Sequence, residues 1–280
     1  MSITYNLVLG EIKKLTDKKI KALLGRERLK FSHEAIAKYL FSIIKHQQNL
    51  YTYKQIYIDE KIRGTYENFV KNINLMAKLM QFLFYQFNIE KNITATADYN
   101  IIDTTIIIEK ETKSISKKDW DTQRVTTRDK IHYCGSKGLV FLNQHGLITR
   151  ADRIKINASD HNILKDIRLY SHYLRGNILA DRGFSSKLVR ERFIEANSNF
   201  YQPLPYPCNL VSPYVKKSVI QLSEEDKLIY KQRWQIEILF QKIKNIYGNF
   251  RLFFKGKHTE RHKQAKFYAS MIIYNLSIAR

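Results

Sequence analysis

Residues 101–108 read Ile-Ile-Asp-Thr-Thr-Ile-Ile-Ile, a run of β-branched side chains interrupted by one carboxylate. Such a run predicts a short, largely buried strand, because β-branched side chains pack well on a pleated surface. A charge inside such a strand is costly unless it is paired or bound to a cation. Asp103 is therefore either a structural residue, hydrogen-bonded to Thr104, Thr105 or a loop amide, or a ligand for a positive group.

The segments that follow residue 108 alternate between strand and helix patterns. The stretches 132–142 and 146–156 predict a hairpin, and 177–180 predicts another short strand. Helices are predicted over 159–173, 185–196, 223–247 and 261–278. The polar segment 111–130 predicts a loop, and 200–222 contains all four prolines, which predicts an irregular insert. This order predicts a mixed α/β domain over 96–280, with helices packed on a central sheet.

Residues 1–95 carry apolar side chains at helical spacing in three successive segments, the last over 66–87. Only short breaks separate these segments. The pattern predicts a small all-helical domain that precedes the α/β domain.

The charge balance indicates the kind of partner. The chain has 48 Lys and Arg residues against 26 Asp and Glu, a formal net charge of +22. An excess of this size favours a polyanion, because each cation placed on a phosphate releases a counterion. The alternative is a basic protein whose composition reflects abundant Lys, Ile, Asn and Tyr. The two cysteines, Cys134 and Cys208, form no zinc motif. No signal peptide and no membrane-spanning run is evident, so we expect an intracellular protein without membrane contact.

A second carboxylate, Asp181, follows the short apolar strand predicted at 177–180 and precedes Gly183. Ligand-binding and catalytic groups of α/β sheets gather at such strand ends. An aspartate that only shapes the turn into a helix is the competing interpretation.

A third carboxylate, Glu237, lies on the long helix predicted over 223–247. Tyr230, Arg233, Glu237 and Lys244 occur at offsets 0, 3, 7 and 14, which places them within roughly a 60° arc of a helix. The other faces are apolar and predict burial, Trp234 included. A solvated charged stripe with helical ion pairs would give the same pattern. Together, however, two strand-borne aspartates and one helix-borne glutamate can hold the two divalent cations of a phosphoryl-transfer site.

At these residues the sequence resembles bacterial insertion-sequence transposases of the DDE type, which have a ribonuclease-H-like catalytic core. The motifs that carry the resemblance are Ile102-Asp103-Thr104-Thr105, Ala180-Asp181-Arg182-Gly183-Phe184 and Tyr230-x2-Arg233-x3-Glu237-x6-Lys244. The last reproduces the Tyr-Arg-Glu-Lys signature of several such families, spacing included. The resemblance covers about 98–280 well and the N-terminal helices more vaguely.

The resemblance implies a role for each matching position. Asp103, Asp181 and Glu237 would bind two Mg²⁺ ions, for which Mn²⁺ can substitute. Water, and then a DNA 3′-hydroxyl, would attack a phosphodiester, and the N-terminal helices would recognise the ends of the element. The predicted DNA-contacting residues are Tyr230, Arg233, Lys244 and Arg182, together with Lys255, Lys257, Arg261 and Lys263 of a C-terminal region rich in basic and aromatic residues.

Other functions stay open on the sequence alone. A metal-dependent nuclease on the same fold would cut without strand transfer, and an inactive transposase derivative would bind DNA without cutting. A basic structural or ribosome-associated protein would make the three motifs coincidental. We expect double-stranded DNA as the partner, a homodimer on DNA because two ends must be brought together, and a cytoplasmic, bacterial, nucleoid-associated location.

Overall fold

The computed structural model describes residues 65–112, 124–126, 132–198, 205–213, 222–247 and 259–279, with a few isolated positions before residue 65. Some side chains within these ranges are excepted, among them those of 108–112, 132–134 and 261–263. The helices predicted before residue 65 lie outside the described residues. The chain divides into two compact units. One comprises the residues up to Lys91, Ile108–Lys110 and Ile243–Arg280, and the other Asn92–Ile107 and Glu111–Lys242.

In the part of the chain that the structure describes, six strands form a mixed sheet. Its strands are β1 (Tyr99–Thr112), β2 (Arg124–Thr126), β3 (His132–Asn143), β4 (Ile148–Lys155), β5 (Gly176–Ala180) and β6 (Cys208–Val211). They lie in the order β2-β3-β1-β5-β6, with β4 also paired to β3. β5 is parallel to both β1 and β6, whereas β3 is antiparallel to β2 and β4. The predicted α/β class, a mixed central sheet flanked by helices, is confirmed.

The helices of the described residues from position 65 onward are α1 (Tyr66–Glu90), α2 (Asp160–Ile163), α3 (Lys187–Ser198), α4 (Glu224–Tyr230), α5 (Trp234–Tyr247) and α6 (Thr259–Ile278). Short 3₁₀ segments cover Leu164–Tyr173, Arg182–Phe184 and Lys231–Arg233. The helix predicted over 223–247 is therefore α4 and α5 joined by a 3₁₀ turn. The Ser223 hydroxyl caps its start by accepting from the Asp226 amide at 3.0 Å, because helix starts leave backbone N–H groups without partners.

Two predictions of irregular structure are wrong in part. β1 extends to Thr112 and β2 lies within the segment predicted to be a loop over 111–130. The insert predicted around 200–222 contains β6, which pairs with β5 between its prolines. A strand of four residues can form there because none of Cys208–Val211 is a proline, so every amide can pair.

Packing in the sheet-containing unit centres on a buried apolar cluster. It joins β1, β3 and β5 to the helical segments after residue 163, through residues such as Ile102, Phe141, Ile178, Phe184 and Phe193. This burial is the main favourable contribution to the fold of the unit.

The alignment of β1 with β5 depends on two residues at their starts. Asn100 is 1% exposed, and its side-chain amide donates to the carbonyl oxygens of Thr96 at 2.8 Å and Arg175 at 2.6 Å. Gly176 has φ +63°, and a Cβ there would lie 1.8 Å from the carbonyl oxygen of Ala97. Only glycine can make that approach.

The other unit is described chiefly through α1 and α6, which pack on each other. The Phe84 and Tyr268 rings lie 5.9 Å apart, and the Asn275 amide donates to Asn88 Oδ1 at 3.0 Å. No described helix is long and apolar enough to cross a membrane. The predicted division into domains at residue 95 stays a prediction.

Candidate active site

The register of the sheet places the first two predicted acids side by side. In the parallel pair of β1 and β5, Ile102 lies opposite Ala180. Asp103 follows Ile102 within β1, and Asp181 follows directly after the end of β5, so the two acids occupy neighbouring positions. The strands differ there, because β1 continues to Thr112 whereas β5 ends and the chain enters the 3₁₀ turn Arg182–Phe184.

The Asp103 carboxylate is enclosed on most sides, with 16% of the side chain exposed. Its Oδ1 accepts from the Thr104 amide at 2.7 Å, and its Oδ2 accepts from Arg233 Nη1 at 2.9 Å. Burial raises the pKa of Asp103 to about 6, although the Thr104 amide and the Arg233 charge oppose the rise. Asp181 and Asp160 add to it by repulsion. The ionised form of Asp103 thus costs free energy in the folded protein, and a bound cation would reduce that cost.

Arg233 connects the third predicted acid to the first. While Nη1 donates to Asp103, Nη2 donates to Glu237 Oε1 at 2.5 Å. Burial would lower the pKa of Arg233, but the charges of Asp103 and Glu237 raise it, so the guanidinium stays protonated. Its planar set of donors suits this bridge between two carboxylates. One cationic group therefore already lies between Asp103 and Glu237.

Asp181 is exposed, and its Oδ1 accepts from the Arg182 amide at 2.6 Å. The same side chain caps the 3₁₀ turn. The turn-forming interpretation of Asp181 and the ligand interpretation are thus both compatible with its geometry, since a carboxylate has a second oxygen that can bind elsewhere.

The remaining signature residues lie along the same helical segment. Tyr230 is partly buried, and burial raises the pKa of its phenol although the charge of Arg233 opposes the rise. Lys244 is partly buried on α5, two turns after Glu237, and burial lowers the pKa of its amine. Trp234 differs from the sequence expectation. It is 53% exposed rather than buried, whereas Ile236, Leu239 and Ile243 form the buried face of α5.

The predicted DNA-contacting residues have mixed outcomes. Arg182 is exposed beside Asp181. Arg261 and Lys263 belong to α6, but their side chains lie outside the described ones. Lys255 and Lys257 lie outside the described residues altogether. The contact of each position with DNA stays a prediction.

Two residues that the sequence alone does not assign to the site lie beside it. Asp160 Oδ1 accepts from Thr104 Oγ1 at 3.2 Å and from Lys137 Nζ at 3.0 Å. Lys137 is 16% exposed, so its ammonium is largely removed from water. A lysine within a strand flanked by buried neighbours signals a need for a counter-ion, but the sequence does not say which carboxylate supplies it.

Divalent cations suit the donor chemistry of this site. Its acids present hard carboxylate oxygens, which Mg²⁺ prefers, and a positive group already bridges two of them. In the described part of the chain, no three Asp, Glu, His or Cys side chains converge closely enough to form a ready-made metal cluster. The donor types therefore suit Mg²⁺, but the three acids are not gathered into a metal cluster, and Arg233 occupies the position between Asp103 and Glu237.

The sheet, with two adjacent acids on its central parallel strands and a third on a following helix, defines a ribonuclease-H-like core. Residues 97–276 match the family described as the transposase DDE domain, and the chain belongs to that family. A cryo-EM structure of the piggyBac transposase synaptic complex with hairpin DNA is similar in fold, with TM-score 0.51 and 8% identity, over 99% of this chain and 74% of that one. No curated protein sequence matches the chain.

Proposed function

We propose that this protein is a bacterial insertion-sequence transposase of the Tyr-Arg-Glu-Lys type that cuts DNA at the ends of its element and joins them to target DNA. Membership of the transposase DDE domain family supports DNA cleavage and transfer as the general activity. One observation carries the site assignment. The strand register pairs Ile102 with Ala180, the residues just before Asp103 and Asp181, and Arg233 joins Asp103 to Glu237.

Asp103, Asp181 and Glu237 would hold two Mg²⁺ ions, with Mn²⁺ as a substitute. When bound, such cations activate the attacking oxygen and stabilise the leaving oxygen of a phosphodiester. The raised pKa of Asp103 supports this assignment, because an acid held at such a cost gains most from a divalent cation. Arg233 would then exchange its carboxylate partners for a phosphate, which the guanidinium binds with the same paired donors.

Several basic and aromatic residues would contact the DNA. Tyr230 and Lys244 flank Arg233 and Glu237 along one helical segment, and Arg182 is exposed beside Asp181. The basic positions Lys255, Lys257, Arg261 and Lys263 would extend the contact along the DNA backbone. The net charge of +22 supports a polyanionic partner. We further propose that the helical region within 1–95 recognises the element ends, that a homodimer holds the two ends, and that the protein acts at the bacterial nucleoid.

The test is a cleavage and joining assay on DNA that carries the terminal repeats of the protein's own element. We expect Mg²⁺-dependent nicking at the ends followed by joining. Asp181→Asn should abolish both, because an amide neither carries charge nor binds Mg²⁺ as well as a carboxylate. Asp98→Asn is the matched control, since Asp98 is also exposed and lies just before β1.

Three outcomes oppose the proposal. Equal activity of wild type and Asp181→Asn would reject the site assignment. Cleavage that never proceeds to joining, at any end sequence tried, would indicate a metal-dependent nuclease. Tight DNA binding with no cleavage in Mg²⁺ or Mn²⁺ would indicate an inactive transposase derivative.

A further inference from the structure

Asp160 lies at the start of α2, outside the three predicted acids, yet one of its oxygens has two donors. Oδ1 accepts from Lys137 Nζ at 3.0 Å and from Thr104 Oγ1 at 3.2 Å. Lys137 Nζ also donates to the carbonyl oxygen of Ala158 at 2.8 Å, just before α2. The ammonium of β3 thereby fixes both the backbone and the carboxylate at the start of this helix.

The first link from Asp160 to the candidate active site runs through Thr104. The Thr104 hydroxyl donates to Asp160, while the Thr104 amide donates to Asp103 Oδ1 at 2.7 Å. One residue thus contacts both carboxylates. Restricting the Thr104 side chain also restricts the peptide whose N–H orients Asp103.

The second link runs through Gly183, two residues after Asp181. A Cβ on Gly183 would lie 3.0 Å from Asp160 Oδ2 and 3.5 Å from Asp160 Cβ. The turn that carries Asp181 therefore packs directly on the Asp160 side chain. A larger residue at position 183 would therefore make a tight contact, which the Asp160 carboxylate would have to relieve by shifting a few tenths of an ångström.

We propose that Asp160, held by Lys137, is a positioning residue that sets the relative placement of Asp103 and Asp181. This inference rests on the proposed function, in which both aspartates bind metal. Asp160 contacts Thr104 on one strand and Gly183 in the turn after the other, so it spans the gap between the two ligand-bearing segments. Partners of metal ligands that act in this way contribute about 10- to 100-fold in metal affinity.

The test is a titration of the protein with Mn²⁺. Binding is measured by the loss of the free Mn²⁺ signal in electron paramagnetic resonance. We expect Asp160→Asn to weaken binding by about tenfold, because a neutral amide holds Lys137 less firmly. Thr104→Val, which is similar in shape but lacks the hydroxyl, should weaken binding in the same direction. Thr104→Ser keeps the hydroxyl and should therefore bind Mn²⁺ with nearly the wild-type affinity. DNA affinity without metal should be unchanged in all three.

The matched control is Asp152→Asn. Asp152 accepts from Arg150 at 2.6 Å within β4, and its side chain is 22% exposed against 28% for Asp160. The control breaks a similarly buried ion pair in the same sheet and should leave Mn²⁺ affinity unchanged. Thermal unfolding of each variant separates a loss of fold from a loss of positioning.

Unchanged Mn²⁺ affinity in folded Asp160→Asn and Thr104→Val would overturn the proposal. A Thr104→Ser variant that binds Mn²⁺ more weakly than wild type would overturn it as well. An equal loss in Asp152→Asn would overturn it too, since the effect would then follow general stability. Asp181→Asn distinguishes this failure from that of the proposed function. If Asp181→Asn binds Mn²⁺ as well as wild type does, the ligand assignment itself is wrong.

Discussion

Replacing Asp103 with asparagine should stabilise the metal-free protein at neutral and alkaline pH. Burial raises the pKa of Asp103 from 3.8 to about 6. Each pKa unit corresponds to about 1.4 kcal/mol, so the ionised carboxylate lowers the free energy of unfolding by about 3 kcal/mol. Asparagine cannot ionise, and its single amide oxygen can still accept from one of the two donors that face Asp103, the Thr104 amide or Arg233.

The difference in stability between wild type and Asp103→Asn depends on pH. A group whose folded pKa is raised contributes its full stability below the unfolded pKa and loses it as pH rises through the folded value. Wild type should therefore lose about 3 kcal/mol relative to Asp103→Asn between about pH 4 and about pH 8. Near pH 4 the two proteins should differ by less than about 1 kcal/mol, because the carboxyl is then largely protonated in folded wild type.

Urea unfolding in EDTA, at about pH 4 and about pH 8, measures this difference. Asp98→Asn serves as the control, because it makes the same change at an exposed aspartate just before β1. Added Mg²⁺ should then narrow the gap at high pH by stabilising wild type alone. Asp103→Asn that is no more stable than wild type at about pH 8 would refute the reasoning that the fold holds this acid at a cost.

Three further predictions concern other parts of the described structure. Arg233→Gln should destabilise the metal-free protein by about 1–3 kcal/mol. It should also enlarge the rise in melting temperature caused by Mg²⁺, because the guanidinium no longer competes with the metal for the carboxylates. A smaller rise than in wild type would contradict this. Gly176→Ala should cost more than about 2 kcal/mol in urea unfolding, because its Cβ would clash with Ala97, and a neutral result would reject the packing. The pKa of the buried Cys208 thiol is raised to about 12, so peptide mass spectrometry should find it unlabelled by iodoacetamide until urea is added, and rapid native labelling would argue against its burial.

The sequence predicts the parts of this fold that have strong local patterns. The β-branched run around Asp103 and the apolar run before Asp181 predict β1 and β5, and the capping serine at 223 predicts the start of α4. β6 is hidden by the surrounding prolines, because four residues give too short a period to recognise. Trp234 is apolar and adjoins a buried helix face, but its own position on α5 points to solvent, which composition does not reveal.

Pairings between distant segments are beyond the sequence patterns. Arg233 and Asp103 are 130 positions apart, and no spacing rule links them. The helical face of Arg233 and Glu237 is predicted from the sequence, but the carboxylate that faces it depends on the strand register. The same holds for Lys137 and Asp160, whose pairing follows from how the hairpin strand lies against α2.

The neighbouring aspartates Asp103 and Asp181 differ in how firmly their backbones are held. Asp103 is part of a strand that runs on to Thr112, so its backbone is restrained before and after it. Asp181 is followed by a turn, and Glu237 reaches the site on a side chain that is 56% exposed. Asp103 is thus the most restrained of the three acids, and Asp181 and Glu237 are less restrained. In the proposed active site, Asp181 and Glu237 would adjust when the distance between the reacting oxygens changes, and Asp103 would be the fixed reference point.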